Sequence, residues 1–136
     1  ETLQAVIRLL LEERISIRNI PVILETIAEA RASITAVDQI ADFVRQRLSY
    51  QFVSKLRDGT GRLPLVQIGP DWENRFSEHE ISDPSGRKDI ALPPDEFNRL
   101  ANSVKEQLDN SATQGHFAAV ATSANRRRFL KTVLSL

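Results

Sequence analysis

The sequence predicts an α+β protein in which an N-terminal helical segment of three helices, residues 1–58, precedes a small α/β segment, residues 59–136, with a short parallel sheet. In the first segment, apolar residues recur every three or four positions, which is the periodicity of an amphipathic helix. After Gly59 and Gly61, short β-rich runs alternate with helical patterns. That alternation is typical of an α/β unit, so the two glycines mark the boundary.

Three helical patterns fill the first segment. The first covers residues 3–14, and its apolar side chains share one helix face: Leu3, Val6, Ile7 and Leu10. The second opens with Ser16, whose hydroxyl can cap a helix, and has Pro21 near its start, where a missing N–H costs little. The third covers residues 37–55, and Thr35 and Asp38 have the spacing of a weak capping box.

The second segment begins with a predicted strand at residues 63–68, which has Pro64 near its start and a Gly-Pro pair after it. A short helix is predicted over residues 70–78. A surface loop is predicted over residues 79–88, around the turn sequence DPSG at 83–86. Residues 90–92 are predicted to be briefly extended.

The clearest helix of the chain follows, with prolines and acids in its first turn at residues 93–96 and its end within residues 110–115. Residues 117–121 are short and apolar, as a buried strand is. Thr122 or Ser123 is then expected to cap a last helix. Because helices separate the two strands, we expect the strands to be parallel.

The composition argues against several functional classes. The 136 residues include 18 Lys plus Arg and 18 Asp plus Glu, so the formal net charge is zero, which disfavours wholesale binding to nucleic acid or anionic membranes. No cysteine is present, which excludes disulfides, thiolate metal sites and thiol catalysis. No apolar run approaches the roughly 20 residues that span a bilayer. The chain also lacks methionine and has helical patterns at both ends, so we expect it to be part of a longer protein.

No residue pattern indicates a reaction. His79 and His116 each lack a second potential metal ligand at helical spacing, and ordinary solvated or hydrogen-bonded histidines explain them better. The sequence Gly59-Thr60-Gly61 precedes a strand and lacks the phosphate-binding motifs. We therefore predict no catalytic, metal-binding or cofactor-binding residues and expect a protein that is not an enzyme.

Charge is segregated in the second segment. Residues 71–96 contain eight acidic and three basic side chains, which a solvated loop and helix start would explain. Residues 110–136 contain four basic side chains and no acidic one: Arg126, Arg127, Arg128 and Lys131. The basic cluster is either a solvated helix face or a docking patch for an acidic partner. Trp72 is interpreted mainly as core filler and, alternatively, as an anchor for a partner. The candidate protein-interaction residues are thus Arg126, Arg127, Arg128 and Trp72.

Three stretches of the first segment carry a resemblance to a known family. They are LLEERISIRNI at residues 10–20, ILETIAE at 23–29 and FVRQRL at 43–48. This ordered pattern resembles the cytoplasmic part of the FlhA/LcrD/InvA (FHIPEP) export-gate family. Asn19 stands where that family usually has an acidic capping residue, and its side chain offers the same kind of acceptor. The stretches LPLVQIGPDWE and ALPPDEFNRLANSV are closer to flagellar members.

The resemblance implies a function in protein export. It implies the last two subdomains of a cytoplasmic region, with a further C-terminal strand that is missing here. It also implies a homo-oligomeric ring that receives chaperone–substrate complexes beside an export ATPase, at the cytoplasmic face of the bacterial inner membrane. The parent would reach the membrane only through an N-terminal part absent from this chain.

Two alternatives stay open. One is an export-gate homologue of a virulence injectisome. The other is a helix-turn-helix module, suggested by the corner between the first two helices. Nucleic-acid binding is the weaker of the two, because Glu25 and Glu29 occupy the would-be recognition helix.

Overall fold

The computed structural model describes residues 1–84 and 86–135, and it confirms the α+β class. The chain forms two compact units. Unit 1 comprises Glu1–Lys55, and unit 2 begins at Leu56. Unit 1 contains α1 (Thr2–Glu12), α2 (Ile20–Ala30), α3 (Val37–Arg47) and the short α4 (Ser49–Val53), followed by a 3-10 turn (Ser54–Leu56) that crosses the boundary.

Unit 2 combines three helices with two small sheets. Its elements in chain order are β1 (Leu65–Gln67), α5 (Pro70–Glu78), β2 (Glu80–Ser82), β3 (Lys88–Ile90), α6 (Pro94–Thr113), β4 (Ala119–Ala121) and α7 (Ala124–Leu134). Strands β1 and β4 pair in parallel, as the sequence predicts, while β2 and β3 form an antiparallel hairpin.

Unit 1 has an aliphatic core. Helices α1 and α2 both pack on α3. The buried side chains are small or branched: Val6, Leu10, Ile15, Ile23, Ile27, Ala30, Ile40, Ala41, Val44 and Leu48. Thr26 is also buried, and its hydroxyl donates to the Val22 carbonyl at 2.6 Å, so the one polar group inside α2 is satisfied within its own helix.

Unit 2 has an aromatic core at the junction of α5, α6 and α7. The ring of Phe129 meets Phe76 edge-on with ring centroids 5.2 Å apart, and it meets Phe97 in the same way at 5.9 Å. The other buried side chains are Ile90, Leu100, Val104, Leu130 and Val133.

Helix boundaries in unit 1 differ from several predictions. Helix α2 begins at Ile20 rather than beside Ser16, whose hydroxyl instead accepts from the Arg18 N–H. Asn19 occupies the N-cap position, but its side chain makes no cap and donates to the Tyr50 hydroxyl. The capping box at Thr35 is also wrong, because Ala36 is the N-cap residue of α3.

The predicted helix over residues 37–55 is interrupted. Leu48 has φ −88° and ψ 2°, outside α-helical geometry, and its side chain is fully buried. The chain therefore breaks into α3 and α4 at a residue that the core holds, where periodicity alone predicted one continuous helix.

The loop predicted over residues 79–88 contains strand β2 and the start of β3. Glu80 pairs with Ile90 and Ser82 with Lys88, and the Asp83 carboxylate accepts from the Arg87 N–H at 2.9 Å. Ser85 of the predicted turn lies outside the described residues. At the last helix, Ser123 is the N-cap residue as expected, but its side chain makes no capping hydrogen bond.

Candidate protein-interaction surface

Arg126, in the first turn of α7, is buried within unit 2. Its Nη1 donates to Glu80 Oε2 at 3.0 Å and its Nη2 donates to Ser77 Oγ at 3.2 Å. Its Nε lies 3.6 Å from Glu73 Oε2, and the guanidinium carbon is 5.9 Å from the Phe76 ring centre. Arg126 therefore ties α7 to α5 and to strand β2, and its charge is used inside its own unit.

The two following arginines are placed differently. Arg127 is half-buried and Arg128 is exposed, within the first two turns of α7. Cations at a helix start oppose the helix dipole, and the acids around Arg126 offset part of that cost. The docking role of the three arginines stays a prediction, and Arg128 is the one of the three that is exposed.

A second ion-pair cluster joins α5 to the start of α6. Arg75 Nε donates to Glu96 Oε2 at 2.9 Å, Arg75 Nη2 contacts the other Glu96 oxygen, and Nη1 contacts Glu78. This two-pronged pairing lowers the pKa of Glu96 and raises the pKa of Arg75.

The acidic segment is thus partly neutralised by its own unit. Lys88 lies 2.8 Å from Glu80, and its hydrogen bond is the main cause of the lowered pKa of Glu80, followed by that of Arg126. Several carboxylates that gave residues 71–96 their negative charge therefore hold unit 2 together.

Trp72 is half-buried on α5. Its ring stacks on Phe76 with centroids 6.3 Å apart and planes at 30°, and the Arg99 guanidinium lies 5.5 Å from its centre. These contacts agree with the core-filler interpretation, while the exposed part of the ring keeps the anchor alternative as a prediction.

The sequence analysis did not identify several exposed apolar residues. Phe117, just before β4, is 83% exposed, and Leu65 on β1 is 46% exposed. In unit 1, Ile20 and Leu24 lie one turn apart on α2 and are both exposed, as is Leu11 at the end of α1. Singly exposed apolar side chains are ordinary on a protein surface, whereas a contiguous patch of them marks an interaction site.

Neither histidine belongs to a metal-binding group. His79 ends α5, with its N–H bonded to the Arg75 carbonyl, and His116 lies near Asp58. Within residues 1–84 and 86–135, no three His, Asp or Glu side chains are arranged to hold a metal ion. In the same described part of the chain, no helix is both long enough and apolar enough to cross a bilayer.

Comparison with known proteins gives a family match over the whole chain. The profile of the FHIPEP family matches residues 1–136. The flagellar biosynthesis protein FlhA of Caulobacter vibrioides is 34% identical over 133 residues, which are 98% of this chain and 19% of that protein. The protein hrpC2 of Xanthomonas euvesicatoria is 30% identical over 129 residues, 95% of this chain and 20% of that protein. The chain therefore spans about a fifth of the length of these relatives.

Solved structures share the fold. The Shigella flexneri MxiA protein superposes with a TM-score of 0.81 at 25% identity, covering 98% of this chain and 43% of that one. The nonameric EPEC SctV-C superposes with a TM-score of 0.76 at 24% identity, covering 95% of this chain and 38% of that one.

Proposed function

The chain belongs to the FHIPEP family, and from that premise we propose that it is a scaffold and docking part of a flagellar-type (type III) protein export gate. The observation that carries the proposal is the family match over residues 1–136, together with the fold shared with MxiA. The site contacts are consistent with it, because the charged side chains join structural elements and are not arranged around a reactive centre. We propose accordingly that the chain is not an enzyme.

The flagellar branch is favoured over the injectisome branch. Identity is 34% to the Caulobacter FlhA and 30% to hrpC2. The injectisome homologue is the second candidate, supported by the fold shared with MxiA and SctV-C. The DNA-binding alternative is not carried forward, because Glu25 and Glu29 are exposed on α2 and would repel phosphates.

We propose that unit 1 packs between neighbouring copies in a ring. The exposed Leu11, Ile20 and Leu24 supply apolar surface for that contact. A head-to-tail contact of this kind closes into a ring when its rotation permits. The nonameric state of SctV-C, a protein of the same fold, supports the idea.

Unit 2 is proposed to face partners of the export apparatus. These would be export chaperone–substrate complexes and components of the export ATPase, and Arg128 offers exposed positive charge to an acidic partner. The site of action would be the cytoplasmic face of the bacterial inner membrane, with the membrane reached through another part of the parent protein.

A chimera tests the proposal. In Caulobacter FlhA, the matched segment is replaced by residues 1–136 of this chain, and swimming and export of filament subunits are measured. The same replacement is made in hrpC2, with secretion as the measurement. Function restored in FlhA supports the flagellar assignment. Function restored only in hrpC2 would move the chain to the injectisome branch, and a chimera that accumulates normally but exports in neither host would refute both.

The ring contact has its own test within the FlhA chimera. Leu24→Glu places a charge in the proposed contact and should reduce both ring assembly and export. Glu25→Gln, at the next position and also exposed to solvent, is the control and should leave both unchanged. Normal ring assembly by the Leu24→Glu chimera would exclude this face of α2 from the contact.

A further inference from the structure

The parallel pair β1–β4 has two unlike faces. Leu65 pairs with Ala119 and Val66 with Val120. Val120 packs against the core of unit 2, so the Val66 and Val120 side of the sheet faces inward. Because side chains alternate along a strand, Leu65 and Ala119 lie on the opposite side, which we call the outer sheet face.

The outer sheet face continues beyond the paired residues. The Ala119 N–H donates to the Pro64 carbonyl at 3.0 Å, which fixes the start of the ladder at the Leu65–Ala119 pair. Phe117 precedes Ala119 by two residues and Leu63 precedes Leu65 by two, immediately before the strands begin. We infer that both lie on this face by continuing the alternation of the strands. The outer sheet face thus comprises Leu63, Leu65, Gln67, Phe117, Ala119 and Ala121.

This face is apolar but uncovered. Phe117 is 83% exposed and Leu65 is 46% exposed. Parallel strands are almost always buried on both faces, since helices cover each side. An open parallel face with an aromatic ring in water is therefore the unusual feature of unit 2, and it calls for a covering element.

The dimensions of the outer sheet face indicate which kind of structural element could cover it. Two strands about 4.8 Å apart, with their side chains, make a strip about 10 Å wide, and five residues extend it to about 16 Å. One α-helix is about 10 Å in diameter and rises about 16 Å in three turns. A stable interface between globular proteins needs about 800 Å² on each side, far more than this strip, so a second copy is the poorer fit.

Charge at one end of the face indicates the chemistry of that helix. At the start of the two strands lie the exposed Arg57, Arg62 and His116. Asp58 is the one acid in the sequence of residues 56–68 and 111–121. Its carboxylate accepts from the N–H groups of Thr60 and Arg62 and from the Thr60 hydroxyl, and the two arginines outnumber its single negative charge. A ligand with acidic residues at this end would therefore be attracted.

We propose that the outer sheet face binds a single amphipathic helix of a partner protein. The apolar stripe of that helix covers Phe117 and Leu65, and its acidic residues lie beside Arg62 and His116. The site is distinct from the ring contact proposed for unit 1 and does not depend on it.

The test uses the full chain and a designed probe. The probe is a fluorescein-labelled peptide of about 11 residues, the length of three helical turns, with leucine along one face and glutamate elsewhere. A matched probe carries lysine in place of glutamate. Binding is followed by fluorescence anisotropy. We expect the glutamate probe to bind wild-type protein more tightly than the lysine probe does, with a difference that shrinks as salt is added.

Variants of the protein locate the site. Phe117→Ser should weaken binding of the glutamate probe by about tenfold or more, since a buried phenylalanine contributes at least that much. Phe117→Leu should keep most of the affinity. Ile81→Ser, at a residue that is 53% exposed on the other sheet, is the matched control and should bind as wild type does. Far-UV circular dichroism checks that each variant is folded.

Three outcomes would overturn the proposal. One is binding that Phe117→Ser leaves unchanged, and another is equal affinity for the glutamate and lysine probes. The third is a wild-type dimer, seen by analytical ultracentrifugation, that Phe117→Ser abolishes, because that result would assign the face to a second copy of the chain.

Discussion

The two units bury their cores by different means. Unit 1 is closed by aliphatic side chains such as Ile23 and Val44, and its buried hydroxyl of Thr26 bonds within its own helix. Unit 2 is closed by the rings of Phe76 and Phe129, and the buried cation Arg126 lies against one of those rings. The core of unit 1 thus consists of apolar side chains, with the Arg45–Glu13 ion pair (3.2 Å) outside it. Unit 2 instead places a charged side chain inside its core, next to carboxylates whose ionisation it requires.

The largest expected effect comes from opening the aromatic core. Phe76 is fully buried, and Phe76→Ala should lower the free energy of unfolding of unit 2 by about 3–5 kcal/mol through lost burial and the remaining cavity. Trp72 is the only tryptophan and stacks on Phe76, so its fluorescence reports on unit 2 during urea unfolding.

Ile23→Ala is the matched change in unit 1. It should cost about 3 kcal/mol, and the loss should be seen in helical circular dichroism rather than in Trp72 fluorescence. If Ile23→Ala shifted the Trp72 transition as far as Phe76→Ala does, the two cores would not be separate and the comparison would fail.

Acidification should have the next largest effect, and it should act on unit 2. The pKa of Glu80 is lowered by Lys88 and Arg126, and the pKa of Glu96 is lowered by Arg75. An unfolded glutamate titrates near pH 4.3, at about its ordinary pKa. Between the folded and unfolded pKa values, the unfolded state binds more protons, so stability falls as the pH falls.

The contribution of these ion pairs should therefore be complete above about pH 5 and lost as the pH falls through the folded pKa values. We expect the urea midpoint of the Trp72 transition to be lower at pH 3 than at pH 7. Glu96→Gln should lower the urea midpoint at pH 7 and reduce the difference between the midpoints at pH 7 and pH 3. If the difference in midpoint stayed as large in Glu96→Gln as in the wild type, groups other than Glu96 would cause the acid sensitivity.

The sequence predicts the elements that local pattern controls. Helix α6 follows its prolines, acids and apolar stripe, and β1 and β4 fall within the predicted strands because their apolar runs are bounded by turn residues. Prediction from the sequence fails where contacts between residues far apart in the chain determine the local structure. The helix breaks at Leu48, a residue buried in the core, and the hairpin of β2 and β3 replaces a loop because its strands pair with each other.

For the candidate site too, local sequence patterns do not reveal contacts between residues that are far apart in the chain. Arg126 and Glu80 are 46 positions apart, so no local pattern reveals that the cation faces its own unit. Charge counting over residues 71–96 predicted a solvated segment for the same reason. The prediction of a buried strand over residues 117–121 is wrong at Phe117, which lies before β4 and is exposed, because the apolar run alone does not show which residues the core covers.

The two units also end a helix with the same motif but with different residues. After α1, the Ile15 N–H bonds to the Leu10 carbonyl and the Arg14 N–H to the Leu11 carbonyl. After α6, His116 and Gly115 make the equivalent bonds to Ser111 and Ala112. Both are Schellman motifs, which need one left-handed residue. Unit 1 places Arg14 there with φ 58°, and unit 2 places Gly115 with φ 81°.

Exchanging the residue types should give the smallest effects, with opposite signs. A residue with a side chain in the left-handed conformation costs about 1–2 kcal/mol. Glycine avoids that strain, but it loses more conformational entropy on folding, which offsets about 0.5–1 kcal/mol of the gain. Arg14→Gly should therefore stabilise unit 1 by about 0.5–1 kcal/mol, and Gly115→Ala should destabilise unit 2 by a similar amount.

Packing and charge can each be separated from the backbone effect. No atom lies within 4 Å of a Cβ built on Gly115, so Gly115→Ala tests the backbone alone. Arg14→Ala separates the lost charge from the backbone effect, because alanine keeps the strain and removes the guanidinium. If Arg14→Gly and Arg14→Ala changed the unfolding free energy equally, the charge of Arg14 near the C-terminus of α1 would account for the result. A gain seen only with glycine would mean that unit 1 carries backbone strain at a helix end where unit 2 avoids it.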